Sequence, residues 1–296
     1  MERFFCYRIT ASRFLTCGDA ISLGEDGTTV YLNGTGVSRG FPLQSPERSS
    51  RVCISAGGFH DSLRLVDGTR VMEVQLIDFH THTLFSDGVL NPSELVRRAN
   101  VIGYRAIGLA DHVDASSLDW IVPRIVKVAR DLNRYQDTLV IPGVEITHAP
   151  PAQIGLLVEE ARRLGAMLVV VHGESPVEPV APGTNRAGIE AGADILAHPG
   201  FITPEEARLA ARNGVHLEIT SRSGHSLTNG HVARVALAAG ARLVIDTDSH
   251  TPDNLITRDR AFRILVGAGL DDDGAKAALT NNEQLLRIFQ EKLSQE

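Results

Sequence analysis

The stretch LIDFHTHTLFSDG, residues 76 to 88, ends an apolar run with two histidines two positions apart, His80 and His82, and places Asp87 in the loop that follows. A strand turns alternate residues to opposite faces, so the two imidazoles project to the same side. Two imidazoles at one strand end point to a metal, provided that partners converge on them from elsewhere in the chain.

The rest of the chain supplies a frame in which they could. From Met72 onward, apolar strand-like runs alternate with Ala/Leu-rich amphipathic stretches, and a glycine closes each helix. Asn91 and Pro92 open one helix that Gly103 ends; Thr203 and Pro204 open another that Gly214 ends; Gly165 and Gly240 punctuate two more. Asn or Thr before the first turn, Pro inside it and Gly past the end are expected boundary chemistry. Strands are predicted near 74–81, 105–111, 139–146, 167–172, 193–197, 215–220 and 243–247. Seven βα units with short connections predict an α/β protein with a parallel sheet, and right-handed crossovers would let it close into a TIM-like (β/α)7 barrel. A doubly wound open sheet is the alternative, but neither GxGxxG nor GxxxxGK[ST] is present to support it.

In a parallel barrel the C-terminal strand ends form one face, where active sites sit. Read in order, the first strand delivers His80 and His82, with Asp87 after them. The second, AIGLADH, ends in His112; the third, VIPGVEI, delivers Glu145; the fourth, MLVVVHGE, delivers His172. The fifth, DILAHPG, delivers His198, and the seventh, LVIDTDSH, delivers Asp248 and His250, again two apart. Imidazole and carboxylate without thiolate suit Mn, Fe or Zn at hydrolytic sites, and nine donors exceed the needs of one ion, so two or three divalent ions are expected. Asp78, on the strand beneath His80, either orients an imidazole or is a satisfied core carboxylate.

Composition limits the alternatives. All three cysteines, Cys6, Cys17 and Cys53, precede residue 54, so a metal site in the rhythmic part uses nitrogen and oxygen, and the odd, loosely spaced trio fits no disulfide framework. No apolar run approaches the roughly 18 to 20 residues that span a bilayer, and a reducing cytoplasmic location is expected. The net charge is −7, and from residue 73 onward 21 basic and 29 acidic residues give −8, which disfavours a polyanion such as nucleic acid.

Residues 1–71 lack a sustained period. Arg outnumbers Lys 26 to 3, which suggests GC-rich coding DNA, where open frames extend upstream by accident; Met72 opens MEVQLIDFHTH, immediately before the first strand. The expectation is that residues 1–71 are a poorly structured extension, not part of the native product, and that 72–296 form the barrel; a small β-rich cap is the alternative. Abundant peptides from residues 1–60 in mass spectra of the native protein would refute it.

In this order, DFHTHTLFSDG, GLADH, GVE, VVVHGE, LAHPG and DTDSH resemble the motifs of the polymerase and histidinol phosphatase (PHP) family, over about residues 74 to 289. The resemblance implies a distorted seven-stranded barrel with a two- or three-metal cluster. Its ligands fall on His80, His82, Asp87, His112, Glu145, His172, His198, Asp248 and His250. Some members have histidine where Asp87 stands. It also implies hydrolysis of a small-molecule phosphate ester by metal-activated hydroxide.

The sixth strand, VHLEITSRSGHS, offers no ligand at its end but is followed by Arg222 and His225. Arg222 is suited to clamp a phosphate with its fork of donors, and His225 to protonate a departing oxygen. Arg186 is a second candidate for the phosphate clamp, and Glu174 a candidate to orient a ligand. His60, His148, His216 and His231 lack converging partners in the sequence and are read as structural or surface residues. Three other functions remain open. An amidohydrolase also begins with HxH and ends in Asp, but its bridging carboxylated lysine has no counterpart, since Lys127, Lys276 and Lys292 all fall in predicted helices. A PHP-type exonuclease or phosphodiesterase is the second, and a metal-binding protein without hydrolysis the third.

Overall fold

The computed structural model describes residues 75–294 throughout and, within residues 1–74, six strands. The chain divides into two compact units, Met1–Val74 and Gln75–Glu296. In the first, β1 (Phe5–Thr10), β5 (Ser49–Ile54) and β6 (Arg64–Val66) form one antiparallel sheet, and β2 (Ala20–Leu23), β3 (Thr28–Asn33) and β4 (Gly36–Gly40) form another. The expectation of a poorly structured extension falls in large part on residues outside the described ones, His60 among them.

The second unit is built from parallel strands with helices between them. β7 (Leu76–Thr81), β8 (Tyr104–Leu109), β10 (Leu139–Ile146), β11 (Leu168–His172), β12 (Ile195–Ala197), β13 (His216–Thr220) and β14 (Leu243–Asp246) lie side by side in chain order. All their pairings are parallel. A two-residue strand, β9 (His112–Val113), pairs with the far end of β10 and places His112 opposite Glu145. Helices α1 (Pro92–Ile102), α2 (Leu118–Leu132), α3 (Pro151–Arg163), α4 (Thr184–Glu190), α5 (Pro204–Asn213), α6 (Asn229–Ala239), α7 (Arg258–Gly267) and α8 (Asp272–Leu293) fill the intervals and follow the last strand. This is a TIM-like sheet of seven strands, nearly closed into a barrel. The helix boundaries follow the sequence signals. Thr203 and Glu206 form a reciprocal capping box at the start of α5, and Gly103, Gly214 and Gly240 close α1, α5 and α6 in the left-handed conformation that a β-carbon disfavours.

The strands are buried along their length, and two apolar cores hold them. The larger lies between sheet and helices. The smaller takes Ile141 of β10, Leu168 and Val170 of β11 and Ile195 of β12, which by strand alternation share a face with Glu145, His172 and Ala197. Leu285, Leu286 and Phe289 of α8 join this core, and Phe289 meets Phe79 edge to face at 5.4 Å.

Closure between β7 and β14 is incomplete, and side chains replace the missing ladder. Phe79 N–H donates to Asp246 Oδ1 at 2.6 Å, and Thr247 donates through N–H and Oγ1–H to the two oxygens of Asp78 at 3.1 and 2.6 Å. Asn282 of α8 accepts from Ile245 N–H at 3.0 Å and donates toward Ile245 O and Asp246 Oδ1 at 3.1 and 3.2 Å. Only beyond β14 does a direct bridge form, from His82 N–H to Ser249 O at 2.8 Å. Asp78 is therefore a satisfied carboxylate of the seam, rather than the group that orients the His80 imidazole. No helix among the described residues is long and apolar enough to cross a membrane.

Candidate metal centre

The C-terminal strand ends bring all nine sequence-identified residues to one place. His80 Nε2 lies 3.3 Å from Glu145 Oε2 and 3.8 Å from Asp248 Oδ1; His82 Nε2 lies 3.1 Å from the same Asp248 oxygen. His198 Nε2 stands 3.8 Å from Glu145 and 3.7 Å from Asp248. To one side, Asp87 faces His112 at 3.4 Å and His250 at 3.1 Å, and His112 Nδ1 reaches Glu145 at 2.7 Å. On the other side, the His172 ring stands edge to face with that of His198 at 4.5 Å.

Loop geometry holds these groups. Asp111 accepts from Thr83 N–H and Oγ–H, both at 2.8 Å, and from Ser86 N–H and Oγ–H at 3.1 and 2.7 Å, which fixes the loop that carries Asp87. At Gly88 in that loop a β-carbon would collide with the His82 carbonyl, so the tight return requires glycine. Three non-glycine residues among those described have positive φ: His148 (52°), His198 (26°) and Asp248 (52°). Such backbone persists only where surrounding structure imposes it.

The electrostatics are those of a cation site. Nine buried side-chain polar atoms among the described residues have no hydrogen-bond partner, and six of them belong to His80, His82, Glu145, His198 and Asp248. Native structures leave few such atoms, because each costs roughly 1–3 kcal/mol. The ion-pair distances above bring these groups close, but their geometry does not align donor hydrogens with acceptors. Three of these atoms, His80 Nε2, His82 Nε2 and Asp248 Oδ1, face one another instead, which is an arrangement that fits a divalent ion. Burial works against charge throughout. At His80 the carboxylates of Glu145, Glu218 and Asp248 outweigh burial and raise the pKa well above the usual value; at His82 burial wins and lowers it to about 3. Burial would raise the Asp248 carboxyl, but His80, His82 and His198 hold it well below the usual range.

Other sequence-identified residues lie where their neighbours, rather than their spacing, dictate. Arg222 is at the rim, its Nη1 donating to Asn254 Oδ1 at 3.1 Å and its Nε 3.9 Å from Asp248 Oδ2. His225 is buried beside the cluster, 4.1 Å from the His198 ring. Arg186 is not brought to the site: it pairs at the surface with Glu205 at 2.8 Å and Glu190 at 3.3 Å. Glu174 orients no imidazole; it accepts from Gly183 N–H and Asn185 N–H at the start of α4. His216 and His231 bond to the carbonyls of Asp194 and Ile202, as structural residues do. His148, in contrast, has converging partners: Glu178 Oε2 at 3.0 Å, and His172 with ring centroids 5.1 Å apart.

Two carboxylates were not singled out from the sequence. Glu218 contradicts the reading of the sixth strand as empty: its Oε1 accepts from His80 Nδ1–H at 2.8 Å, and its Oε2 accepts from His198 N–H at 2.7 Å. The alternation His216, Glu218, Thr220 carried that signal, since it turns three polar residues to one face. Glu178, in the loop after β11, reaches three imidazoles and has no local signature. An open cavity of 540 Å³ adjoins the cluster, walled by Phe85, Asp87, His112, Thr147, His148 and Glu178 among others.

The family model of the PHP domain matches residues 78–239. The chain belongs to the PHP domain family. An uncharacterized protein of Methanocaldococcus jannaschii is 49% identical over 215 residues, which cover 71% of this chain and 99% of that one. A protein of Shewanella frigidimarina named as a probable phosphatase is 27% identical, covering 66% of this chain and 85% of its own length. Among solved structures, a chain of archaeal ribonuclease P with mature tRNA superposes with a TM-score of 0.56 at 18% identity, over 72% of this chain and 91% of that one. A Xaa-Pro dipeptidase does so at 0.50 and 12%, over 83% and 86%. At these identities the PHP chain shares a fold with them and nothing finer.

Proposed function

We propose that this PHP protein is a metal-dependent phosphoesterase that hydrolyses a small phosphate monoester, with two or three divalent ions held by His80, His82, Asp87, His112, Glu145, His172, His198, Asp248 and His250. The observation that carries the reading is the set of six partnerless donor atoms in one buried cluster, with a guanidinium at its rim. The name of the Shewanella relative points the same way. Divalent ions in such a cluster neutralise phosphate charge and make water acidic enough to act as nucleophile near neutral pH.

The chain's own groups do the rest. The carboxylates of Asp248 and Glu145 stay ionised among the imidazoles. Glu218 fixes the His80 ring so that Nε2 faces the centre. Among the described residues Arg222 is the one guanidinium paired with a cluster carboxylate, and its fork suits two phosphate oxygens. The adjoining cavity has room for the alcohol part of the ester.

The competing reactions fit less well. A lysine-bridged amidohydrolase centre has no lysine to use, because Lys127 lies on α2 and Lys276 and Lys292 on α8. Nuclease action must overcome the net −8 of the chain from residue 73. The test is a panel: the full chain with Mn²⁺ against phosphomonoesters, a phosphodiester, single-stranded DNA, and lactones and amides. Phosphate release from monoesters alone is expected. Turnover confined to diesters, DNA or amides would overturn the proposal, as would bound metal with no hydrolysis of any of them.

A further inference from the structure

We propose that one cation is held by His172, His198, His225 and Glu178, so that Glu178 and His225 are metal ligands at the rim; this rests on the metal-dependent reading above. The nine strand-end residues include only the first two of these four.

The three histidines match the geometry of the inner cluster, and Glu178 borders them through one oxygen toward His172 and the other toward His225. One ring nitrogen each from His172, His198 and His225 lies within 4.8 Å of the others, as the donors of His80, His82 and Glu145 do. His225 is oriented for ligation. Its Nδ1 is engaged by Ser175 Oγ at 2.6 Å, which leaves Nε2 to face inward, 3.3 Å from Glu178 Oε1 and 3.9 Å from Asp248 Oδ2. The His172 ring is fixed in the same way: Nδ1–H donates to Gly173 O at 3.1 Å, and Nε2 stands 3.1 Å from Glu178 Oε2. A ring nitrogen anchored behind and a lone pair in front is the arrangement that ligating histidines adopt.

Glu178 is held by its backbone. It stands in the run Pro176-Val177-Glu178-Pro179, where two fixed φ angles limit the freedom that ligation would otherwise cost. His148 supports it from outside. Its Nε2 lies 3.0 Å from Glu178 Oε2, and it shares the left-handed backbone otherwise found, among the described non-glycine residues, at His198 and Asp248. His148 is thus a positioning residue for the carboxylate. The assignment also changes the role of His225, since a nitrogen lone pair committed to a cation cannot carry a proton to a leaving oxygen.

The experiment is metal counting and Mn²⁺ and Zn²⁺ titration calorimetry on the full chain, on Glu178→Gln and on His225→Gln, with circular dichroism to verify folding. One equivalent should be lost, or weakened on the order of tenfold or more, in both variants, while the remaining equivalents keep their affinity. Glu178→Asp, which retains the carboxylate, should recover part of the loss; it also serves should the glutamine variant unfold. Unchanged stoichiometry and affinity in either variant would overturn the four-donor set. If the parent chain binds no divalent ion at all, the metal-dependent reading itself fails, a result distinguishable from failure of this assignment alone.

Discussion

Glu218 and His80 form a buried pair at 2.8 Å, and the second oxygen of the same carboxylate takes the His198 backbone N–H at 2.7 Å. One side chain on β13 therefore orients the ring of one candidate ligand and holds the backbone of another. The pair sits where neither group meets water, so its geometry is held by protein alone.

Glu218→Gln tests this directly. The amide preserves shape but removes the anion that favours the Nδ1–H tautomer and strengthens Nε2 as a donor. Divalent-ion affinity should fall by roughly 10- to 100-fold with little loss of fold. Competition against a metal-indicator dye measures the first and circular dichroism the second. Unaltered affinity would show that His80 is oriented by something else.

Most of the barrel was legible because its signals are local. Strand runs, caps and closing glycines lie within a few residues of one another, and β10 occupies the range 139–146 that its apolar run predicts. The nine strand-end donors were legible because in a parallel barrel a C-terminal strand end is also a position in space. Glu218 was half-legible, visible in alternation but two residues short of the strand end. Glu178, His148 and Asn282 were not legible, since their partners lie on loops or strands distant in sequence. Arg186 and Glu174 were misread for the converse reason: both lie near the right strand, but Glu190 and Glu205 capture the one and the start of α4 the other.

Arg222→Ala should separate recognition from chemistry. The guanidinium is about a third exposed and held by Asn254, so its loss should leave the fold intact. KM for a phosphomonoester should rise about 10- to 100-fold, and Arg222→Lys should recover only part of this, because an ammonium keeps the charge but not the fork. Steady-state kinetics on the best substrate of the panel would check it; identical KM in all three proteins would remove Arg222 from the site.

His216 gives a pH dependence outside the cluster. Burial lowers its pKa below 6.5 in the folded chain, only partly offset by its bond to the Asp194 carbonyl. The unfolded chain thus takes up this proton first as pH falls below about 6.5, and stability is lost on acidification down to the lower folded value; above about 6.5 both states are neutral and nothing changes. In His216→Gln that contribution disappears. Urea unfolding near pH 5.5 and 7.5 should show a smaller stability difference between the two pH values in the variant than in the parent; parallel curves would refute the assignment.

Asn282 carries the strongest prediction for the fold. β7 and β14 do not pair along their length, so the backbone of Ile245 depends on an amide from α8, which accepts its N–H and donates to its carbonyl. Alanine at this position leaves both groups buried without partners, beside the Asp78 and Asp246 carboxyls that burial already raises. With roughly 1–3 kcal/mol for each of the two polar groups so stranded, Asn282→Ala should cost about 2–6 kcal/mol. Asn282→Asp keeps the acceptor but sets a carboxylate against Asp246, so its cost should equal or exceed that of alanine near neutral pH and shrink on acidification. Denaturant midpoints of the two variants at two pH values decide it. A loss under about 0.5 kcal/mol in both, the range of ordinary surface changes, would mean that the packing of Phe79 against Phe289 closes the barrel and that the amide is incidental.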